Sequence, residues 1–444
     1  MPPLICLWTS KNGERHSNMR SKNYNPPPVD FGHSGRGVST SVIPSEAKAI
    51  RGISSIRAGF GEWRNPFARG RPLPQSPIDY PLLFIVVTLV LIGLILVYAA
   101  TYHLGFRYLK WQLLRGLGGL FALYLGTKIN IHRLGQKPVA WVILLMTIAL
   151  MALTLFFGKV LGVARRQILL FQPQEFAKLG TLIYLAAYFS ALKEESIRPS
   201  FIKSTLIPGS AVATVACLVL LQPAVGTSLL ISISALVVFF LAGVKWRYML
   251  VILSIAGLLG AIGLTTMPLL RNTRYRYIPE RWDKFWSGDR YHQTQALIAL
   301  GSGGPFGRGL GEGRQKYYFI PKLHKDFIFS ALGEDFGFSG CFLVMLLYVL
   351  FFLRCLRVAE RATTEFGMLL SGGIGTMIIL YALTHIAVSL SILPTTGQPL
   401  PFISYGGSAL TSNLLAAGLI LNISRYQNPN PLPKLQPLPL RFRS

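Results

Sequence analysis

Residues 81–101 read Pro-Leu-Leu-Phe-Ile-Val-Val-Thr-Leu-Val-Leu-Ile-Gly-Leu-Ile-Leu-Val-Tyr-Ala-Ala-Thr. No charge interrupts this run. At about 1.5 Å per residue, a helix of that length crosses the roughly 30 Å hydrocarbon core of a bilayer. Comparable runs follow at 112–128, 138–157, 173–191, 204–221, 226–243, 248–269, 338–356, 367–390 and 405–423. The runs are continuous rather than alternating, which excludes a membrane β-barrel. Only 14% of the 444 residues are charged, against about a quarter in an ordinary soluble chain. The expected fold class is an all-α polytopic membrane protein, with about ten transmembrane helices.

The flanks are different material. Residues 1–78 are rich in Ser, Gly, Pro and Arg and hold no apolar run long enough for a span or signal peptide. They read as a disordered basic cytoplasmic extension. A later start at Met19 or beyond, or an Arg- and Ser-rich organellar transit peptide, are the other readings. Residues 79–426 form the membrane domain and 427–444 a Pro-rich cytoplasmic tail. The four cysteines, Cys6, Cys217, Cys341 and Cys355, form no CxxC pair, so neither a disulfide framework nor a zinc site follows.

An even number of spans puts both termini on one side. Arg133, Lys137, Lys193, Lys203, Lys245, Arg247, Arg354, Arg357 and Arg361 all fall in or beside loops that follow even-numbered spans. The positive-inside rule makes those loops, and both termini, cytoplasmic. Lys159, Arg165 and Arg166 lie on the other side, against the rule, which hints at a role there. The net charge of +27 is then explained by basic cytoplasmic loops and anionic lipid rather than by nucleic acid. The segment from about 270 to 337, between the seventh and eighth spans, becomes a long extracytoplasmic loop. Its eleven Lys and Arg residues do not upset this topology, because long loops translocate largely regardless of charge. Its aromatic residues, Trp282, Phe285, Trp286, Tyr291, Tyr317, Tyr318 and Phe319, argue against disorder.

Four constellations carry chemistry. In His324-Lys325-Asp326-Phe327-Ile328-Phe329 a carboxylate sits between two cations and an apolar run, at the mouth of the eighth span. A helix begun near Pro321 would place Asp326, Ser330, Gly333 and Glu334 on one face. Asp326 then suits a general base, or a helix-entry acid on the positive helix end. Residues 301–313 hold seven glycines in thirteen positions. These allow close approach to a ligand or another backbone, and successive N–H groups can cup an anion; a flexible surface loop has the same composition. Gln172-Pro173-Gln174-Glu175-Phe176-Ala177-Lys178 opens a helix at Pro173 and places Glu175 and Lys178 within pairing distance, as an interior path or a structural ion pair. Residues 393–401 hold three prolines and lead into Ser404-Tyr405-Gly406-Gly407-Ser408. This reads as a loop dipping back to the membrane, with Gly406 and Gly407 letting the last helix pack closely. His385, alone in its span, reads as a hydrogen-bonded core residue.

Together these islands, with Gln222-Pro223 and Gly226-Thr227, resemble in order the SEDS family of bacterial cell-wall proteins over about 81–426. Gly309-Leu310-Gly311 with Gln315-Lys316 and Pro321 is more similar to its division members than to its elongation members. The resemblance implies helices around a central cavity and a peptidoglycan glycosyltransferase that polymerises lipid II by an inverting mechanism. It implies Asp326 as the essential acid. It also implies Glu175, Lys178, Arg165, Arg166, His324, Lys325, Lys316, Gln295 and Ser404 as substrate-binding candidates, with a divalent cation, Mg or Mn, as an optional helper. The implied partners are a class B penicillin-binding protein transpeptidase, other divisome proteins and the bacterial inner membrane at the septum, and no nucleic acid. An elongation polymerase, a lipid II flippase and a non-enzymatic division scaffold are the alternatives. The chain departs from the family pattern at Ala224, where an Asp is usual, in the shorter stretch between Arg166 and Gln172, and at Lys325, where Thr is usual.

Overall fold

The computed structural model describes residues 77–102, 105–157, 159–161, 164–167, 171–195, 200–222, 224–265, 277–287, 291–313 and 323–427. A helix overlaps every predicted span. In chain order these are α1 (Tyr80–Thr101), α2 (Arg107–Lys128), the single turn α3 (Ile131–Leu134), α4 (Lys137–Phe157), α5 (Pro173–Glu195), α6 (Ile207–Leu221, entered through a π-helical turn at Ile202–Leu206), α7 (Val225–Leu241) and α8 (Trp246–Thr265). After them come α9 (Tyr277–Ser287), α10 (Tyr291–Ser302), the single turn α11 (Leu323–Asp326), α12 (Ile328–Arg361), α13 (Glu365–Ser389) and α14 (Gly407–Ile423). Five of them are long and apolar enough to cross a membrane: α1, α4, α6 with its entry turn, α12 and α13. A small antiparallel hairpin, β1 (Lys159–Leu161) and β2 (Ala164–Gln167), follows α4 and pairs Val160 with Arg165.

Helix starts are set locally. The Asp79 carboxylate accepts from Leu82 N at 2.9 Å and caps α1, with Pro81 in the first turn. That carboxylate also meets Arg354 at 3.2 Å, joining the ends of α1 and α12. Thr364 caps α13 through Gly367 N at 3.0 Å. These contacts satisfy amides that a helix start leaves bare.

Inside a membrane, helices associate by close packing rather than by expulsion of water. The longest helix seam runs between α2 and α14. A Cβ on Gly418 would lie 2.2 Å from Leu123 O, and one on Gly126 would lie 2.8 Å from Leu415 O. Only glycines allow that approach. Of the pair expected to let this helix pack closely, Gly407 does so against the Arg115 side chain of α2, 3.1 Å from where a Cβ would lie, whereas a Cβ at Gly406 would meet nothing closer than Ala409 at 3.8 Å. Asn422 Nδ2 closes the seam by donating to Gly126 O at 3.0 Å and Ile129 O at 2.5 Å. The largely buried helices α5 and α13 pack against each other, with α4 and α7 around them and α12 on α13.

The eighth span starts earlier than its composition indicates. The α12 helix begins at Ile328, ten residues before the predicted boundary, and is broken at Gly337 (φ 66°, ψ −161°). Residues 328–336 therefore form a short helix of their own direction. The part of the 270–337 segment that is described is helical in α9, α10, α11 and the start of α12, while residues 303–313 form turns after α10.

Candidate active site

Asp326 ends the single turn α11. Phe327 (φ −135°, ψ 29°) then leaves helical geometry, and α12 starts one residue later. The helix is not continuous across this point, so the shared face expected for Asp326, Ser330, Gly333 and Glu334 does not form as a helical stripe. What holds the segment is apolar: Phe327, Ile328 and Phe329 are 6%, 0% and 3% exposed. Asp326 is half-buried. Its Oδ1 is enclosed and accepts no hydrogen bond from the described residues. A carboxylate oxygen left so is costly, since a buried acceptor normally finds a donor.

The Pro-rich loop holds this segment in place. Ser404 Oγ accepts from Leu400 N at 2.8 Å and donates to Lys325 O at 3.0 Å. Its one proton is thereby used, so Ser404 acts as a strap on the residue next to Asp326. Lys325 itself is half-buried. The loop is anchored by Tyr348, which donates to Pro401 O, and by Phe402 stacked edge-on against Phe351. Leu400, Phe402 and Ile403 are at most 2% exposed. Further along, Gln293 Nε2 donates to Leu393 O at 2.8 Å, and Arg281 reaches Thr395 O at 3.1 Å. The α10 side chain that reaches this loop is thus Gln293; the candidate Gln295 is half-buried on the same helix.

The glycine segment is a backbone ladder. Arg308 N donates to Glu334 O at 3.0 Å, Gly309 N to Asp335 O at 3.1 Å, and in return Phe338 N donates to Gly304 O at 2.9 Å. A Cβ on Gly303 would sit 1.9 Å from Gly333 O, on Gly307 2.2 Å from Asp335 O, and on Gly337 2.3 Å from Gly307 N. The glycines serve close approach to another backbone. They clamp the short helix 328–336 behind Asp326, and several amides that an anion would need are already spent on it.

Glu175 and Lys178 come together on α5. Their charged atoms are 2.6 Å apart, and the side chains are 1% and 2% exposed. The contact is an ion pair without regular hydrogen-bond geometry. Lys178 Nζ also lies 4.2 Å over the Tyr381 ring, a second source of stabilisation for the cation. Arg165 and Arg166 lie on β2, and His324 on α11. The side chains of these three residues, and the whole of Lys316, fall outside the described residues.

Among the described residues no three His, Cys, Asp or Glu side chains gather to hold a metal ion. Ala224 has a plain structural consequence. It is the N-cap of α7, 3% exposed, with no side-chain cap; the usual Asp is a preferred residue at such a position.

His385 is the hydrogen-bonded core residue expected of it. It is 1% exposed, its Nδ1 lies 2.9 Å from Gln398 O, and its Nε2 is buried without a partner among the described residues. An ionisable group in an otherwise uncharged span was the available signal.

The comparisons with known proteins agree with this architecture. Residues 80–429 match the FtsW, RodA and SpoVE family of cell cycle proteins. Stage V sporulation protein E of Bacillus subtilis is 34% identical, the match covering 78% of this chain and 97% of that protein. The probable peptidoglycan glycosyltransferase FtsW of Trichlorobacter lovleyi is 32% identical over 80% of this chain and 95% of its own. Among solved structures, a chain of a peptidoglycan synthase complex, solved for its coordination of polymerization and crosslinking, superposes with a TM-score of 0.66 at 27% identity. It covers 79% of this chain and 99% of that one. The rod shape determining protein RodA of Thermus thermophilus gives 0.58 at 27% identity, covering 79% and 98%. A Gly-clamped, Ser-strapped aspartate at the entrance of a polytopic helical body is therefore what this chain presents as a member of the FtsW/RodA/SpoVE family.

Proposed function

We propose that this chain is a peptidoglycan glycosyltransferase that joins lipid II disaccharides into glycan strands during cell division, with Asp326 as its general base. One observation carries the reading. The carboxylate is held at a helix break by bonds to its neighbours' backbone, while among the described residues its own Oδ1 has no donor. A structural acid would have been satisfied; a base must keep an oxygen available for the proton it removes.

Two lipid-linked disaccharides meet at the outer face of the inner membrane. Asp326 takes the proton of the acceptor hydroxyl as that oxygen bonds to the anomeric carbon of the donor. The lipid pyrophosphate departs from the opposite face, so configuration inverts. Lys325, beside the base, stabilises the developing charge, together with the basic residues of the β1–β2 hairpin. Both termini lie in the cytoplasm at the septum, and the partner is a class B penicillin-binding protein transpeptidase, within the wider divisome. The similarity to a synthase-complex chain supports such a partner. A transport reading would need Glu175 and Lys178 open to a path; their mutual pairing inside the packing favours a structural role.

The test is glycan polymerisation from lipid II by purified protein, with and without the transpeptidase. Asp326→Asn is expected to fold and to make no polymer, and normal product from that variant would refute the proposal.

A further inference from the structure

Three basic residues, Arg107, Lys110 and Arg115, stand on the first half of α2. That helix holds no acid, and the helices packed along it, α1 and α14, hold no charged residue at all. Arg115 lies about 12 Å along the helix from Arg107. Around it Trp111, Leu113, Leu114 and Leu117 are exposed, the face that such a helix turns toward lipid chains. Arg115 itself is half-buried. A charge at that depth ordinarily pairs with another. Arg115 has neither an ion pair nor a hydrogen bond among the described residues. Its contacts are aromatic: Cζ lies 4.5 Å from the Tyr405 ring centre and 5.9 Å from that of Trp111. The rings ease the cost of the cation, but they leave its five N–H donors without an acceptor.

The surroundings add positive rather than negative charge. A Cβ on Gly407 would lie 3.1 Å from Arg115 Cδ and Nε, so the side chain passes over the first residue of α14. That 17-residue helix starts from Gly406 with no side-chain cap, and its first amides present a partial positive charge. Ser408, in the same turn, uses its Oγ to accept from Gln172 N at 2.9 Å. Gln112 is the second polar group. It is 3% exposed, and its Oε1 is enclosed without a donor among the described residues. Gln112, Gly119 and Gly126 lie on the buried stripe of α2. Gly119 faces Leu410 and Leu414, and Gly126 faces Gly418. Two turns before Gly119, Gln112 is therefore aimed at the uncapped end of α14, one turn from Arg115.

We propose that this corner between α2 and α14 is a binding site for the phosphate of a lipid. The Arg115 guanidinium takes two phosphate oxygens side by side. The uncapped amides of α14 add to the field that holds them. The Gln112 carboxamide takes a polar group next to the phosphate. Tyr108 and Tyr405, with ring centres 5.6 Å apart, form one wall and Trp111 another. Arg107 and Lys110 are exposed and draw anions toward the site. Tyr405 follows Ser404, whose Oγ holds Lys325 O, so an occupant rests against the loop that positions Asp326. Two sources share this chemistry: the headgroup of an anionic phospholipid and the pyrophosphate of a lipid-linked sugar. The inference goes beyond the glycosyltransferase reading and does not rest on it, because binding is measured without turnover.

The full chain, purified in detergent, is titrated with phosphatidylglycerol, with lipid II, and with diacylglycerol of the same acyl chains. Native mass spectrometry counts the lipid retained. The wild type is expected to hold one phosphate-bearing lipid saturably, and diacylglycerol should not compete for it. Arg115→Gln should weaken that binding about tenfold or more, since a forked, charge-assisted contact is lost. Arg115→Lys should fall between the two, keeping the charge without the fork. Displacement of phosphatidylglycerol by lipid II assigns the site to the lipid-linked sugar, and its retention assigns the site to phospholipid; both outcomes uphold a lipid phosphate. Equal affinity in wild type and Arg115→Gln, or equal competition by diacylglycerol, overturns the proposal. Thermal melts give a second readout. Phosphatidylglycerol should raise the melting temperature of the wild type and not that of Arg115→Gln, and an equal rise in both also overturns the proposal. Should Arg115→Gln fail to fold, the affinity of Arg115→Lys decides in its place, and a value equal to wild type tells against the guanidinium site. Loss of polymerisation in Asp326→Asn, or its persistence, bears on the glycosyltransferase reading and leaves this binding test untouched.

Discussion

Two carboxylates in this chain meet opposite fates. Glu175 is sealed in the protein interior against Lys178, with both side chains almost wholly covered. Asp326 stands half-buried at a helix break, with one oxygen lacking any donor among the described residues. A buried ion pair is held by mutual attraction that offsets the loss of water, and neither charge can leave without stranding the other. A carboxylate without a partner has no such tie, and its charge remains available to a substrate proton. Sequence type alone did not separate the two, since each is a single acid near a lysine.

The sharpest break of this comparison is Asp326→Asn. Loss of a general base costs roughly 10²- to 10⁴-fold in rate, while the melting temperature should hold or rise, because an unpaired charge is being removed; rate and thermal melts on one preparation read both. Next comes Lys178→Met. It leaves Glu175 uncompensated, and a stranded buried charge costs about 3–5 kcal/mol. The double variant with Glu175→Gln should recover most of that stability in detergent melts. If Lys178→Met alone melts like wild type, the pair is not the structural element described here. Gly337→Ala follows. A side chain there is forced into a positive-φ conformation and against Gly307 N at 2.3 Å, at a combined cost of roughly 2–4 kcal/mol. The readout is stability together with slower polymerisation, as the short helix behind Asp326 loses its clamp. The smallest effect belongs to Ser404→Ala, which loses a buried bond worth about 1 kcal/mol. It should lower kcat a few-fold with little change in KM, as expected of a strap and not of a ligand for sugar.

Much of the fold was legible from composition. The helices α1, α4 and, counted with its π-helical entry turn, α6 begin and end within two residues of the runs predicted for them, because long apolar runs leave a bilayer-length chain little choice. The failures share one cause. Residues 328–337 are polar enough to read as loop, and their helicity is imposed by the glycine segment that lies beside them in space but well before them in sequence. The α2–α14 seam is another case, since nothing local marks Gly418 rather than Gly407 as the residue that another backbone touches. Within the site, Asp326 was visible as an acid too costly to place at a membrane mouth without purpose. Ser404 and Gln293 were visible only as residue types, and their strapping roles needed the loop closed over them. His385 was legible as a hydrogen-bonded core residue, but which group it bonds, Gln398 O, is a property of the folded surroundings.

The break at Gly337 also decouples aim from anchorage. The long apolar rod beyond it can shift along the bilayer normal, or tilt to suit a thicker or thinner membrane, without turning the stub that precedes it, whose azimuth is dictated by the neighbouring strand of glycines. Adding one residue within that stub would instead swing everything ahead of it by about 100°, so tolerance to length change should drop abruptly on crossing Gly337 toward the amino terminus.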